Sequence, residues 1–100
     1  MAVATSVNAA TGTMVGASSP VNGKCSFQIS TSGTVDLTYE LELSMDDVDY
    51  LSIISQATTV AETVGYESNA YWKYARASIT TYVSGTITIQ LGAEGKFFEL

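Results

Sequence analysis

Histidine is absent from this chain, cysteine and proline each occur once, and lysine and arginine together number 4 in 100 residues. Each shortage closes a class of function. Without histidine there is no Ser-His triad, and the commonest general base and metal ligand are both missing. A single cysteine, Cys25, allows no intrachain disulfide and no multi-cysteine metal cage. Four scattered cations (Lys24, Lys73, Arg76, Lys96) against 10 acidic residues give a net charge of −6. That balance offers no basic patch from which a phosphate backbone could release counterions, and it disfavours anionic membranes, so neither nucleic acid nor membrane is an expected partner. No apolar run approaches the ~18 residues of a membrane span. The N-terminus has neither a basic n-region nor a continuous apolar stretch, so it does not read as a signal peptide.

What is present is hydrophobic alternation. Ile87, Ile89 and Leu91 alternate with Thr86, Thr88 and Gln90, and Cys25, Phe27 and Ile29 alternate with Ser26, Gln28 and Ser30. Val35, Leu37, Tyr39, Leu41 and Leu43 alternate with polar residues in the longest run of all. A period of two marks strands with one buried and one wet face, and no segment of ten residues carries the three-and-four spacing of a helix. Turn signals at Thr31-Ser32-Gly33 and Ser84-Gly85 predict two hairpins, 24–30 with 34–44 and 71–84 with 86–91. The fold class expected is all-β: an antiparallel sandwich or jelly roll of about seven or eight short strands, with Leu37, Tyr39 and Leu41 buried.

Residues 1–23 are dominated by Ala, Thr, Ser, Asn and Gly. They read as an extended N-terminal arm with an edge strand near Thr11 to Ala17, ahead of a sandwich domain spanning 24–100. So small-sided a segment predicts little packing on its own domain. Removing residues 2–10 is therefore expected to leave the melting temperature nearly unchanged and to weaken attachment to a partner.

Three stretches resemble small β-sandwich (discoidin-like or jelly-roll) structural proteins of tailed-bacteriophage particles. They are Leu41-Glu42-Leu43-Ser44-Met45-Asp46-Asp47-Val48-Asp49-Tyr50, Tyr71-Trp72-Lys73-Tyr74-Ala75-Arg76-Ala77, and Thr80-Thr81-Tyr82-Val83-Ser84-Gly85-Thr86-Ile87-Thr88-Ile89. Members commonly place Trp where this chain has Tyr50, and an Asp-Gly turn where it has Asp46-Asp47. The resemblance implies a non-enzymatic virion protein, assembled in the host cytoplasm. Its expected role is a capsid decoration or cement protein that binds the major capsid protein, copies of itself, or both. A domain standing alone fits the capsid better than tail-tip chains, where such domains sit among many others.

Candidate sites are few. If Ala75, Ala77 and Ile79 face the core, Trp72, Tyr74, Arg76 and Tyr82 share the opposite face. Aromatic–Arg faces dominate binding energy at protein interfaces, and Trp72, Tyr74 and Tyr82 would alternatively make a stacking platform for sugar rings, the use expected of a carbohydrate-binding module. Asp46, Asp47 and Asp49 cluster as calcium ligands would, but match no calcium loop, and Asp favours turns in its own right. Glu40 and Glu42 lie on one strand face as a carboxylate pair would, and equally as a solubilising face would. Cys25, in phase with Phe27 and Ile29, reads as a small buried hydrophobe. No catalytic residue, metal or cofactor is expected.

Overall fold

The computed structural model describes residues 2–93. Among them no helix forms, and five antiparallel strands make one sheet: β1 (Ala2–Ala10), β2 (Met14–Val15), β3 (Ser19–Ser44), β4 (Leu51–Thr58) and β5 (Thr63–Ala93). The sheet order is β1-β5-β3-β4, with β2 added to β5 beside that path. The all-β antiparallel expectation holds at this level. The strand count differs because β3 and β5, 26 and 31 residues long, run straight through positions that read as turns.

Neither predicted hairpin forms. Residues 25–32 pair on one side with 86–93 and on the other with 63–68, while residues 36–44 pair with 74–84 and with β4. Each limb of β3 thus has neighbours on both edges and none left for the other limb. From Cys25↔Ala93 to Ser44↔Tyr74 the two long strands form a single antiparallel ribbon with nearly constant register. Gly33 (φ 83°) and Gly85 (φ 102°) bend this ribbon in its middle instead of reversing the chain. A Cβ on Gly85 would lie 2.9 Å from the Cα of Val35, so the two strands touch backbone to backbone at the bend. The bend is also required by size. A straight 26-residue strand would run roughly 85 Å at ~3.3 Å per residue, whereas the molecule measures 41 × 25 × 21 Å.

Bending brings the apolar faces of both halves together. Val7, Phe27, Ile29, Ile87, Ile89 and Leu91 from one half join Leu37, Tyr39, Leu41, Leu43, Ala77 and Ile79 from the other in one buried cluster. The burial expected for Leu37, Tyr39 and Leu41 is met, at 2% exposure or less. Tyr39 is pushed to a high pKa first by burial and then by Tyr66, so its hydroxyl stays protonated in the core.

The expected free arm lies along its own chain. β1 pairs with residues 87–93 of β5, and Val7 is fully buried. The cause is a bulge: Thr5 lies opposite Gln90 and Val7 opposite Ile89, so Ser6 is the extra residue. Ser6 and Val7, neighbours in sequence, are both buried, which strict alternation would forbid. The Ser6 hydroxyl donates to the Ala17 carbonyl at 2.7 Å and accepts from the Ala77 amide at 2.9 Å, tying β1 to the crossing segment after β2 and to β5.

Candidate protein interface

The four expected interface residues are half-buried, and the structure divides them. In an antiparallel pair, residues directly opposite share a face. Arg76 lies opposite Glu42 and Tyr74 opposite Ser44, on the outer face, while Ala75 and Ala77 lie opposite Leu43 and Leu41, on the core face. Between Tyr39↔Ile79 and Thr38↔Thr81 the register slips by one residue at Thr80. A one-residue slip sends every later side chain to the other face. Tyr82 consequently lies opposite Leu37, packs against the core, and donates its hydroxyl to the Gly85 carbonyl at 2.8 Å, next to the bend. Trp72 also packs against the core, where the partner strand slips between Pro20↔Tyr74 and Gly23↔Trp72. Asn22 (φ 48°) and Gly23 (φ 147°) mark that irregularity. The single face of Trp72, Tyr74, Arg76 and Tyr82 is therefore not formed, and neither is a three-ring platform for sugars. Tyr74 and Arg76 remain together.

Around Arg76 the structure assembles partners that strand alternation did not reveal. Its Nε donates to Glu42 Oε1 at 3.0 Å, and Ser78 Oγ donates to the same oxygen at 2.7 Å. The guanidinium sits 3.8 Å from the centre of the Tyr50 ring, a stacked cation–π contact. The Tyr50 hydroxyl in turn donates to Asp47 Oδ1. Burial, then the Asp47 carboxylate, pushes the Tyr50 phenol up to about 12, so this donor keeps its proton. A chain Ser78–Glu42–Arg76–Tyr50–Asp47 thus runs across the outer face from β5 to the acidic turn. Beside it opens a cleft of about 470 Å³, lined by Met14, Val15, Glu42, Arg76 and Ser78 among others. Met14 and Val15 are 38% and 63% exposed. A fixed arginine with exposed apolar side chains at its rim has the make-up of a protein-binding surface.

The acidic turn is closed by its own hydrogen bonds. Asp46 Oδ1 accepts from Ser44 Oγ and from the amides of Val48 and Asp49 at 2.8–3.0 Å. The amides of Asp49 and Val48, then the Ser44 hydroxyl, hold the Asp46 carboxyl down to about 2. Asp47 adopts φ 62°, a left-handed conformation that Asp tolerates. Among the described residues no group of three or more potential metal ligands converges. Glu42, the candidate partner of Glu40 in a carboxylate pair, is held by Arg76. Burial raises the Cys25 thiol to about 11, which suits an inert core residue.

No protein-family model and no curated protein sequence matches this chain. Three solved structures superpose on it over most of its length. The SPBc2 prophage-derived protein YomS superposes with a TM-score of 0.66 at 16% identity, covering 90% of this chain and 88% of that one. PirA superposes with a TM-score of 0.55 at 16% identity, covering 90% and 91%. A point mutant of the family 29 carbohydrate-binding module CBM29-2 gives 0.47 at 9% identity, covering 100% and 97%. For YomS and PirA, at these identities, the likeness is one of fold: a small all-β protein.

Proposed function

We propose that this chain is a non-enzymatic structural protein of a tailed-phage particle, of the decoration or cement type. It binds across capsid subunits and associates with copies of itself. In this reading the bent sheet is a β-sandwich of jelly-roll kind, its two halves being the layers. The observation that carries the proposal is the fold likeness to a prophage-derived protein over nine-tenths of this chain. The sequence resemblance to phage structural proteins agrees with it, and the missing histidine leaves little for catalysis to use. A cement protein needs a rigid body and a surface to bury across a joint, and no chemistry. The outer face around Arg76, Tyr74, Met14 and Val15 is the surface assigned to the capsid, with Arg76 as its central anchor.

The experiment is to locate the protein on purified particles by gold labelling and cryo-electron microscopy. Regular occupancy of capsid lattice points is expected. Density confined to the tail, or absence from particles, would overturn the proposal. Arg76→Ala should lower capsid occupancy while leaving the protein folded.

A further inference from the structure

β4 pairs with β3 along one edge, and among the described residues no strand lies along its other edge. Its residues, Leu51-Ser52-Ile53-Ile54-Ser55-Gln56-Ala57-Thr58, include no charge and no proline. Those are the usual guards of an open edge, and here only one register slip, beside Ile53, stands in their place. Exposed large apolar side chains gather on this edge and at its two ends: Leu51 at 55%, Ile53 at 37%, Val48 at 78% and Val60 at 59%. The other edges are protected. β1 is bulged twice and crossed by the segment after β2, and the 63–68 edge carries Glu67 with Glu62 beside it.

We propose that β4 is a self-association edge, where two copies of this chain pair antiparallel about a two-fold axis and join their sheets. This rests on the structural-protein reading above and names the surface through which copies meet. A strand paired with its own symmetry mate is self-complementary in backbone donors and acceptors, whatever its side chains. With the axis near Ile54 and Ser55, antiparallel order sets Val48 and Leu51 of one copy beside Val60 of the other, extending the apolar contact past both strand ends. Charge leaves this edge free to pair. Each copy carries −6, yet nothing from Tyr50 to Val60 is charged. Asp46, Asp47 and Asp49 lie before that stretch and Glu62 after it. Like charges therefore oppose pairing at its ends alone, and salt screens them. The dimer tightens as salt rises, the reverse of an ion-pair interface.

The test is analytical ultracentrifugation of the whole chain from micromolar to millimolar concentration, at low and high salt, with melting temperatures measured alongside. A concentration-dependent dimer is expected, tighter at high salt. Leu51→Glu and Ile53→Glu should each weaken it by roughly tenfold or more, as like-charge juxtaposition does. Val3→Glu, on the β1 edge, should leave it unchanged. Should a β4 variant fail to fold, hydrogen exchange on the unaltered protein serves instead, with amides in 51–58 slowing as concentration rises. A monomer at every concentration, a dimer loosened by salt, or one broken by Val3→Glu and not by the β4 changes would overturn the proposal. The dimer is read in solution and the particle position on virions, so either can fail without the other.

Discussion

β1 and β4 are both edge strands of similar length, 9 and 8 residues, and both are free of charge, yet one is closed and the other open. β1 is built almost wholly from small residues, with two valines as its largest side chains, but its bulge turns Ser6 and Val7 inward together. The chain then crosses back over it: the Gly16 amide donates to the Ala77 carbonyl at 2.7 Å, and the Ala17 amide to the Ser6 carbonyl at 2.8 Å. β4 has the larger aliphatics, Leu51, Ile53 and Ile54, and only Ile54 packs against the core. The comparison teaches that backbone register, not side-chain size, decides which edge is finished within the chain.

The largest expected effect tests the closed edge. Val7→Asp buries an unpaired charge and should cost about 4–5 kcal/mol or more, a large part of the roughly 5–15 kcal/mol that holds such domains together. Ile53→Asp, on β4, should change folding stability by no more than about 0.5 kcal/mol. Urea titrations of the two variants make the comparison, and equal midpoints would show that β1 is not docked. Deleting residues 2–10 should likewise destabilise, against the expectation drawn from composition.

Next come the joints that hold β1 down. A Cβ on Gly16 would meet the Ala77 carbonyl oxygen at 2.4 Å and Ser6 Oγ at 2.5 Å, so Gly16→Ala should cost about 1–3 kcal/mol through overpacking. Ser6→Ala leaves the buried Ala77 amide without its acceptor, a cost also of about 1–3 kcal/mol. Thermal melts of both read the effect directly. If neither moves the transition, the crossing segment contributes nothing to closure.

Composition and period made the all-β class and the core positions of both long strands legible, because alternation reports burial directly. They did not make the topology legible. Gly33 and Gly85 supply the positive φ that a hairpin needs, and a bend between sheet halves needs the same thing. Local chemistry cannot separate the two, since the difference lies in which distant strand offers its edge. The four-residue face is not formed for a related reason. Alternation carried from Trp72 to Tyr82 assumes an unbroken register, and the slip at Thr80 breaks it. Arg76 is legible as a chemistry-bearing residue from its type and position alone. Its partners Glu42, Tyr50 and Asp47 come from other segments, and their assembly depends on that hidden topology.

The Arg76 chain gives a smaller effect. Arg76→Ala loses a partly exposed ion pair and a stacked ring, together about 1–2 kcal/mol. Lysine should not restore it, because an ammonium has no plane to stack on Tyr50 while bonding Glu42. Equal melting temperatures for the Lys and Arg forms would mean the stacking adds nothing.

The smallest effect lies at the turn leading into β4. Asp46 holds the entry to that strand through bonds to its charged carboxylate, and its folded pKa is depressed from 3.8 to about 2. A depressed folded value means the folded state binds its proton later than the unfolded chain does. The stabilisation is thus fully present above about pH 4 and is lost as pH falls through about 2. Asp46→Ala lacks these bonds at every pH, so its melting temperature should lie below that of the unaltered protein at pH 5. The gap should close as both are taken down to pH 2. Asp47, also depressed, is common to both proteins and owes its shift chiefly to Tyr50 and Ser18, with the Asp46 charge its smallest influence. Its titration therefore largely cancels in the difference. A gap that stays constant across this window would mean the turn is held by its backbone alone, with the open edge of β4 set independently of the Asp46 charge.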